Sequence, residues 1–352
     1  MNIVNFINVI RFLVGYVLLR FMGDFYWKFL NKNNPIKIKD RIINPRAQSY
    51  LELMASITPS SEYWDVYKVR QSLHSSRYLY SGFKVNVKEI KDFEIKNENS
   101  NIPVRFYEPI KRHNSYQNSA LVFIHGGGLV TGSIETYDSF CRQLSSRIMM
   151  PIFAIDYRLA PENSLDEIQS DSRFFWKWLQ NNSYKFDVSN KKIGLCGESA
   201  GASLVLDICD NINLDDNNVK PRSIALIYPP FVQEDETNSR KEIKQIKSII
   251  FNDTLKWFEK IAIPGKIREE VIARNQRFDP TFFSPVFLLT CGFDPLRDEG
   301  EVLLKLFERK SVTVHHVEYR DMFHGFILMP AIFNHTKFLC KDLTSFFWRY
   351  LK

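Results

Sequence analysis

The sequence has little cysteine and no close pairs of it. Cys141, Cys196, Cys209, Cys291 and Cys340 are odd in number and far apart, and no C-x-x-C occurs, so neither a disulfide framework nor a zinc site is expected. They read as core thiols of a reducing, cytoplasmic compartment. Also missing is an unbroken apolar run long enough to cross a bilayer. Met1 to Met22 is apolar but interrupted by Asn2, Asn5, Asn8, Arg11 and Arg20, whereas a span wants about 20 predominantly apolar residues. The same stretch lacks the basic start and small-x-small site of a cleaved signal. No basic stripe interleaved with aromatics is present. The lysines and arginines behind the formal charge of +7 are scattered among asparagines and acids, which argues against a nucleic-acid partner. No internal repeat is visible.

What is present is a chain of 352 residues, 45% hydrophobic and 25% charged, enough for a substantial core. Residues 1–83 read as an N-terminal helical cap or lid, aromatic-rich from Asp24 to Tyr80, with breaks at Pro35, Pro45 and Pro59. Residues 84–352 read as one α/β domain. Lys84 to Lys96 and Ile102 to Glu108 alternate apolar with polar residues and predict an antiparallel pair at a sheet edge. Ala120 to Ile124 is a continuous apolar run, a buried strand. Strand and helix patterns then alternate: helix from Tyr137 to Met149, strand from Pro151 to Tyr157, helix from Ser164 with a Ser164/Glu167 capping box, and strand from Arg222 to Tyr228. An irregular, helix-containing cap insertion covers about 231–284. Strand Pro285 to Cys291, a helix with an Asp298/Glu301 cap, strand Thr313 to Tyr319 and helix Ala331 to Leu351 close the chain. This alternation predicts a mainly parallel sheet with helices on both faces.

The chain is organised around Lys191 to Val205, KKIGLCGESAGASLV. Gly197 to Gly201 fits G-x-S-x-G, a strand-to-helix turn that exposes a serine hydroxyl above a sheet. Serine needs a base within hydrogen-bond reach, itself held by a third group, and in this type of sheet the order is serine, acid, histidine. Downstream of Ser199 stand His315, His316, His324 and His335. The first two fall within a strand and the last within a helix, while His324 follows the final strand in Phe323-His324-Gly325-Phe326. For the acid, Asp294 ends a strand in Cys291-Gly292-Phe293-Asp294-Pro295. Asp298 and Glu299 compete, but suit the first turn of the next helix. His125-Gly126-Gly127-Gly128 after a buried strand offers unobstructed backbone donors, complemented by the Ala200 N–H. No P-loop lysine and threonine follow, so a phosphate cradle is a weak alternative.

Five segments in order, HGGG at 125–128, DYRLAPE at 156–162, GESAG at 197–201, DPLRDEG at 294–300 and HGF at 324–326, resemble the hormone-sensitive-lipase-like, bacterial family IV carboxylesterases of the α/β-hydrolase superfamily. The resemblance runs from about Lys84 to the C-terminus. It implies an α/β-hydrolase fold with an N-terminal and an inserted helical cap, and hydrolysis of a small-molecule carboxylic ester through an acyl-enzyme. It implies Ser199, Asp294 and His324 as catalytic triad and Gly126, Gly127, Gly128 and Ala200 around the oxyanion, with His125 and Glu198 beside them. No metal or organic cofactor is implied. Glu198 stands where aspartate is commoner, Leu129 where an aromatic is common, and the insertion before Pro285 departs from the usual spacing.

Two other activities stay open on these residues: an amidase or acetyl deacetylase on the same triad, and a non-catalytic small-molecule receptor on the same fold. His324 weighs against the receptor, because the resembling plant gibberellin receptors lack the catalytic histidine. For Met1 to Met22 three roles stand open: a cap helix, a cap that also touches a membrane surface through residues 1–46, and a spanning anchor. Asn2, Asn5, Asn8 and Arg11 fall within one half of a helical projection, which suits a helix lying flat. Oligomeric state is not legible.

Overall fold

The computed structural model describes residues 3–82, 84–97, 100–212, 219–232, 236–247, 251–281 and 283–352. Its centre is an eight-stranded sheet. The strands are β1 (Glu89–Asn97), β2 (Ser100–Glu108), β3 (Ala120–Ile124), β4 (Ile152–Ile155), β5 (Ile193–Glu198), β6 (Ile224–Ile227), β7 (Val286–Phe293) and β8 (Val314–Phe323), in the order β8-β7-β6-β5-β3-β4-β2-β1. β3 to β8 are parallel, and β2 joins antiparallel to both β4 and β1. The expected antiparallel edge is therefore present, although β1 starts at Glu89 rather than Lys84. The chain leaves β3 toward β4 on one side and returns to β5 on the other, so the sheet reverses its strand order between β3 and β5. Crevices at such reversals, beyond the strands' carboxyl ends, are where open α/β sheets bind ligands.

Twelve α-helices of the described residues surround the sheet: α1 (Ile3–Phe21), α2 (Asp24–Leu30), α3 (Pro45–Ile57), α4 (Val66–Tyr80), α5 (Ile134–Ile148), α6 (Leu165–Asn182), α7 (Ala200–Ile212), α8 (Asn238–Lys244), α9 (Phe251–Ala262), α10 (Lys266–Gln276), α11 (Arg297–Arg309) and α12 (His335–Tyr350). The period-two alternation of the strands divides the core in two. Leu121, Phe123, Cys196, Ile227 and Leu289 face α5, α12 and the N-terminal helices. Val122, Ile124, Leu195, Leu226 and Leu288 face α6, α7 and α11. All five cysteines are buried free thiols.

Local signals set several helix starts. The Ser164/Glu167 capping box forms, and Ser133 with Thr136 makes another that starts α5 three residues before the expected Tyr137. Pro45 opens a helix instead of breaking one: Asn44 caps it by accepting from the Arg46 and Ala47 N–H groups, and proline fits the first helical turn. The expected Asp298/Glu301 cap is not formed. α11 begins earlier, at Arg297, because the Asp294 carboxylate accepts the Leu296 N–H, and Asp298 instead accepts the Ser239 N–H of α8 at 2.8 Å.

The N-terminal helices pack beside the carboxyl end of β8. The Asn44 N–H donates to the Asp321 carbonyl, and Tyr50 stacks on Phe323. Farther along, Trp64 meets Trp257 of α9 edge to face at 5.5 Å, so the N-terminal segment touches the insertion. That insertion crosses 233–235, 248–250 and 282, which lie outside the described residues. Among the described residues no helix is long and apolar enough to cross a membrane.

Candidate active site

The site is built where β5 ends. Ser199 follows β5 directly, with φ 50°, its N–H donating to the Ile227 carbonyl at 2.9 Å. Such a turn brings strand and helix into contact, and the two flanking glycines show why. A Cβ at Gly197 would stand 2.4 Å from the Gly201 carbonyl oxygen, and one at Gly201 2.1 Å from that of Ile124. Real carbon atoms do not approach backbone so closely, so glycine is required at both positions.

His324 arrives from the loop after β8 and Asp294 from the end of β7. The Ser199 hydroxyl lies 2.8 Å from His324 Nε2, and His324 Nδ1 lies 2.8 Å from an oxygen of Asp294. The other Asp294 oxygen accepts the Leu296 N–H at 2.7 Å, and the carboxylate has no solvent exposure. Of the rival residues, Asp298 and Glu299 turn to α8, where Glu299 pairs with Arg240 at 2.6 Å. His316 is bound to Thr290, His315 to Tyr350 and His335 to Asp321. Only His324, among the described residues, bridges a serine and a carboxylate.

The glycine loop folds over the serine from β3. Gly127 and Gly128 have φ 113° and 63°, and the Gly127 carbonyl turns back to accept the Val130 and Thr131 N–H groups. Among the described residues no acceptor takes the N–H of Gly127, Gly128 or Ala200, which leaves three donors for a ligand oxygen. Gly126 is closed to any side chain, since a Cβ there would overlap the Glu198 carboxylate at 1.8 Å. His125 holds the loop from below: its ring stacks on Tyr157 at 4.3 Å, and the Tyr157 hydroxyl donates to its carbonyl. Burial pushes the His125 imidazole down, against the raising influence of Asp156 at 3.6 Å. Buried Glu198 accepts a hydrogen bond from the Tyr137 hydroxyl at 2.7 Å. Desolvation pushes its carboxyl up, partly opposed by His324.

DYRLAPE braces this loop from outside. Asp156 accepts the Ile134 N–H at the start of α5, and Arg158 forks onto the fully buried Asp171 at 2.9 Å. Arg70 of α4 donates to the carbonyls of Val130 and Ala160 and forks onto Glu162. The N-terminal segment is thereby latched to the strap that carries the glycine loop. Nothing local in the sequence around Arg70 indicates that role.

The insertion covers the site. Phe251 of α9 stacks on the His324 ring at 4.2 Å and 19°, and Tyr228 packs against the same ring at 4.4 Å and 52°. One face of the same helix sets Phe258 on Gly128, where a Cβ would stand 2.2 Å from the ring. Phe251, Leu255, Phe258 and Ala262 recur at helical spacing, a signal available in the sequence but indistinguishable there from an ordinary core stripe. Beside Gly128 and Ala200 lies a cavity of about 110 Å³, walled largely by apolar side chains such as Leu204, Phe231, Leu255, Phe258 and Val271. Among the described residues no group of histidine, cysteine and acidic side chains fits a metal ion.

The model of the alpha/beta hydrolase fold family matches residues 121–328. An ethyl acetate hydrolase from Pseudomonas putida is 24% identical over 82% of this chain and 93% of its own length. An arylesterase from Saccharolobus solfataricus is 29% identical over 69% of this chain and 79% of its own. The solved esterase of Pyrobaculum calidifontis superposes with a TM-score of 0.77, at 26% identity, over 87% of this chain and 97% of that one. A match over more than half the sequence, joined to a serine turn beneath a glycine loop, places the chain in the alpha/beta hydrolase fold family, in its hormone-sensitive-lipase-like branch, as a carboxylic ester hydrolase.

Proposed function

We propose that Ser199, His324 and Asp294 hydrolyse a carboxylic ester through an acyl-enzyme, with Gly127, Gly128 and Ala200 as oxyanion donors beside Gly126. The observation that carries this reading is the continuous row Ser199, His324, Asp294, with 2.8 Å at each of its two hydrogen bonds, Ser199 Oγ to His324 Nε2 and His324 Nδ1 to Asp294. Ser199 Oγ attacks the carbonyl carbon as His324 Nε2 takes its proton. The oxyanion that forms draws on backbone N–H groups already free of other acceptors, so little reorganisation is needed. The tetrahedral species collapses, the C–O bond to the alcohol breaks, and His324 returns the proton to the leaving oxygen. Water then enters, loses a proton to His324, and releases the carboxylic acid and free Ser199. Asp294, fixed by the Leu296 N–H, keeps Nδ1 protonated and steadies the imidazolium in both halves.

The apolar cavity beside Gly128 suits one hydrophobic arm of the ester, closed over by α9. Residues 1–83 and the insertion at about 231–284 act as the cap in this reading, joined by the Trp64 to Trp257 contact and the Arg70 latch. A fluorophosphonate probe tests the assignment: it should label the native chain stoichiometrically and leave Ser199→Ala unlabelled, with ester turnover lowered by several orders of magnitude. Labelling that persists in Ser199→Ala would refute it. A chain-length series of p-nitrophenyl esters beside an aryl acetamide separates ester from amide preference.

A further inference from the structure

α1 is turned the wrong way for a helix that serves only the core. Its inward face carries Phe12, Tyr16 and Leu19, which pack on the rest of the protein, and Gly15 crosses α3 so closely that a Cβ would stand 2.5 Å from Leu53. The Tyr16 hydroxyl donates to the Leu79 carbonyl of α4. The opposite face is the more apolar one, and it is exposed: Ile7, Ile10, Leu13, Val14, Val17 and Phe21. Past Gly23, α2 also exposes large apolar side chains, Phe25, Phe29 and Leu30; Phe21, Phe25 and Phe29 are 71%, 83% and 69% exposed. So many large apolar side chains exposed on two consecutive helices of a folded chain mark an interaction surface. The polar half expected from the sequence is only partly in view, because Asn2 lies outside the described residues.

Charge selects the occupant. On the same two helices and the turn after them stand Arg11, Lys28 and Lys32, all exposed and without an ion pair among the described residues. The one acid in residues 3–38, Asp24, is engaged by Arg46 at 2.8 Å. A second copy docking on the same face about a two-fold axis would set these cations against their own duplicates. A surface of anionic lipid headgroups offers the opposite charge to the cations and hydrocarbon to the phenylalanines. We propose that the α1–α2 face is a monotopic seat on anionic lipid bilayers, lying flat in the interface without crossing it.

Flotation of the full chain with vesicles tests this, using phosphatidylcholine alone and phosphatidylcholine mixed with phosphatidylglycerol. The full chain should float with the mixed vesicles, less so as salt rises. Phe25→Ser combined with Phe29→Ser should lower partitioning on the order of tenfold or more, with p-nitrophenyl acetate hydrolysis unchanged as proof of folding. Lys28→Glu combined with Lys32→Glu should weaken binding to the mixed vesicles and leave the weaker binding to neutral ones unaltered. A native chain that fails to float with phosphatidylglycerol vesicles, or a serine variant that floats as well as the native chain, overturns the proposal. So does a native dimer in sedimentation, without vesicle binding, that the serine variant converts to monomer: the face would then belong to a second copy.

Discussion

Ser199 holds a left-handed backbone conformation that costs a residue with a Cβ roughly 1–2 kcal/mol. The surroundings hold it there: the Ile227 carbonyl takes its N–H, and the flanking glycines let β5, α7 and the end of β3 converge. Gly201→Ala pushes a Cβ against two carbonyl oxygens of the β3 end that cannot move aside, so equilibrium unfolding should show a loss of about 3 kcal/mol or more. Asp294 and Asp298 make a sharper test of role. Asp294→Asn should preserve the circular dichroism spectrum yet lower kcat on the order of 10⁴, because the amide favours the wrong imidazole tautomer. Asp298→Asn, whose carboxylate serves only α8 and Arg297, should leave kcat within a few-fold; the reverse result would move the acid to Asp298. Glu198 carries a pH signature. Burial raises its carboxyl in the folded chain, so the folded state binds the proton more tightly, and stability falls as pH rises from the unfolded value through the folded one. Glu198→Gln removes that slope. The melting temperature of the variant relative to the native chain should therefore be higher at pH 8 than at pH 5, and an unchanged difference would show that Glu198 ionises freely.

At the scale of elements, the parts of the site that lie on strand ends were legible, because motif and strand occur in one short stretch. HGGG follows the apolar run of β3, GESAG that of β5, and His324 the end of β8. A cap over residues 231–284 was legible, but the side chains by which it covers the site were not. Phe251 and Phe258 repeat at a spacing that any buried helix shows, and only the tertiary contact puts one ring on His324 and the other on Gly128. Arg70 is the same case: its partners are 60 and 90 residues away in sequence. The Asp298/Glu301 cap failed because Asp294 had already drawn the helix start upstream, and a carboxylate serving two elements carries no mark in the sequence. α9 gives a direct prediction. Phe258→Ala enlarges the space beside Gly128, so kcat/KM for a hexanoate ester relative to an acetate ester should rise at least several-fold. An unchanged ratio would place the acyl chain elsewhere.

Across the whole molecule, the sheet, the insertion and α4 meet at the glycine loop, where the strand order reverses. The first helices are part of the packed fold, since Tyr16 and Leu19 are buried and Tyr16 reaches α4. α4 in turn reaches the glycine loop through Arg70. Removing residues 1–22 should consequently lower turnover of bulky esters more than of acetate esters, while a fluorophosphonate still labels Ser199. Equal turnover across the series would free the first helix from any part in substrate choice. In the proposed reaction an ester passes its acyl group through Ser199, and rapid quenching of the native chain with p-nitrophenyl acetate, followed by peptide mass mapping, reads that transfer. One acetyl group should appear on the peptide that contains Ser199, and none on Ser199→Ala, whose turnover should be lost. An acetyl group mapped to another residue, or full turnover by Ser199→Ala, would place the nucleophile elsewhere.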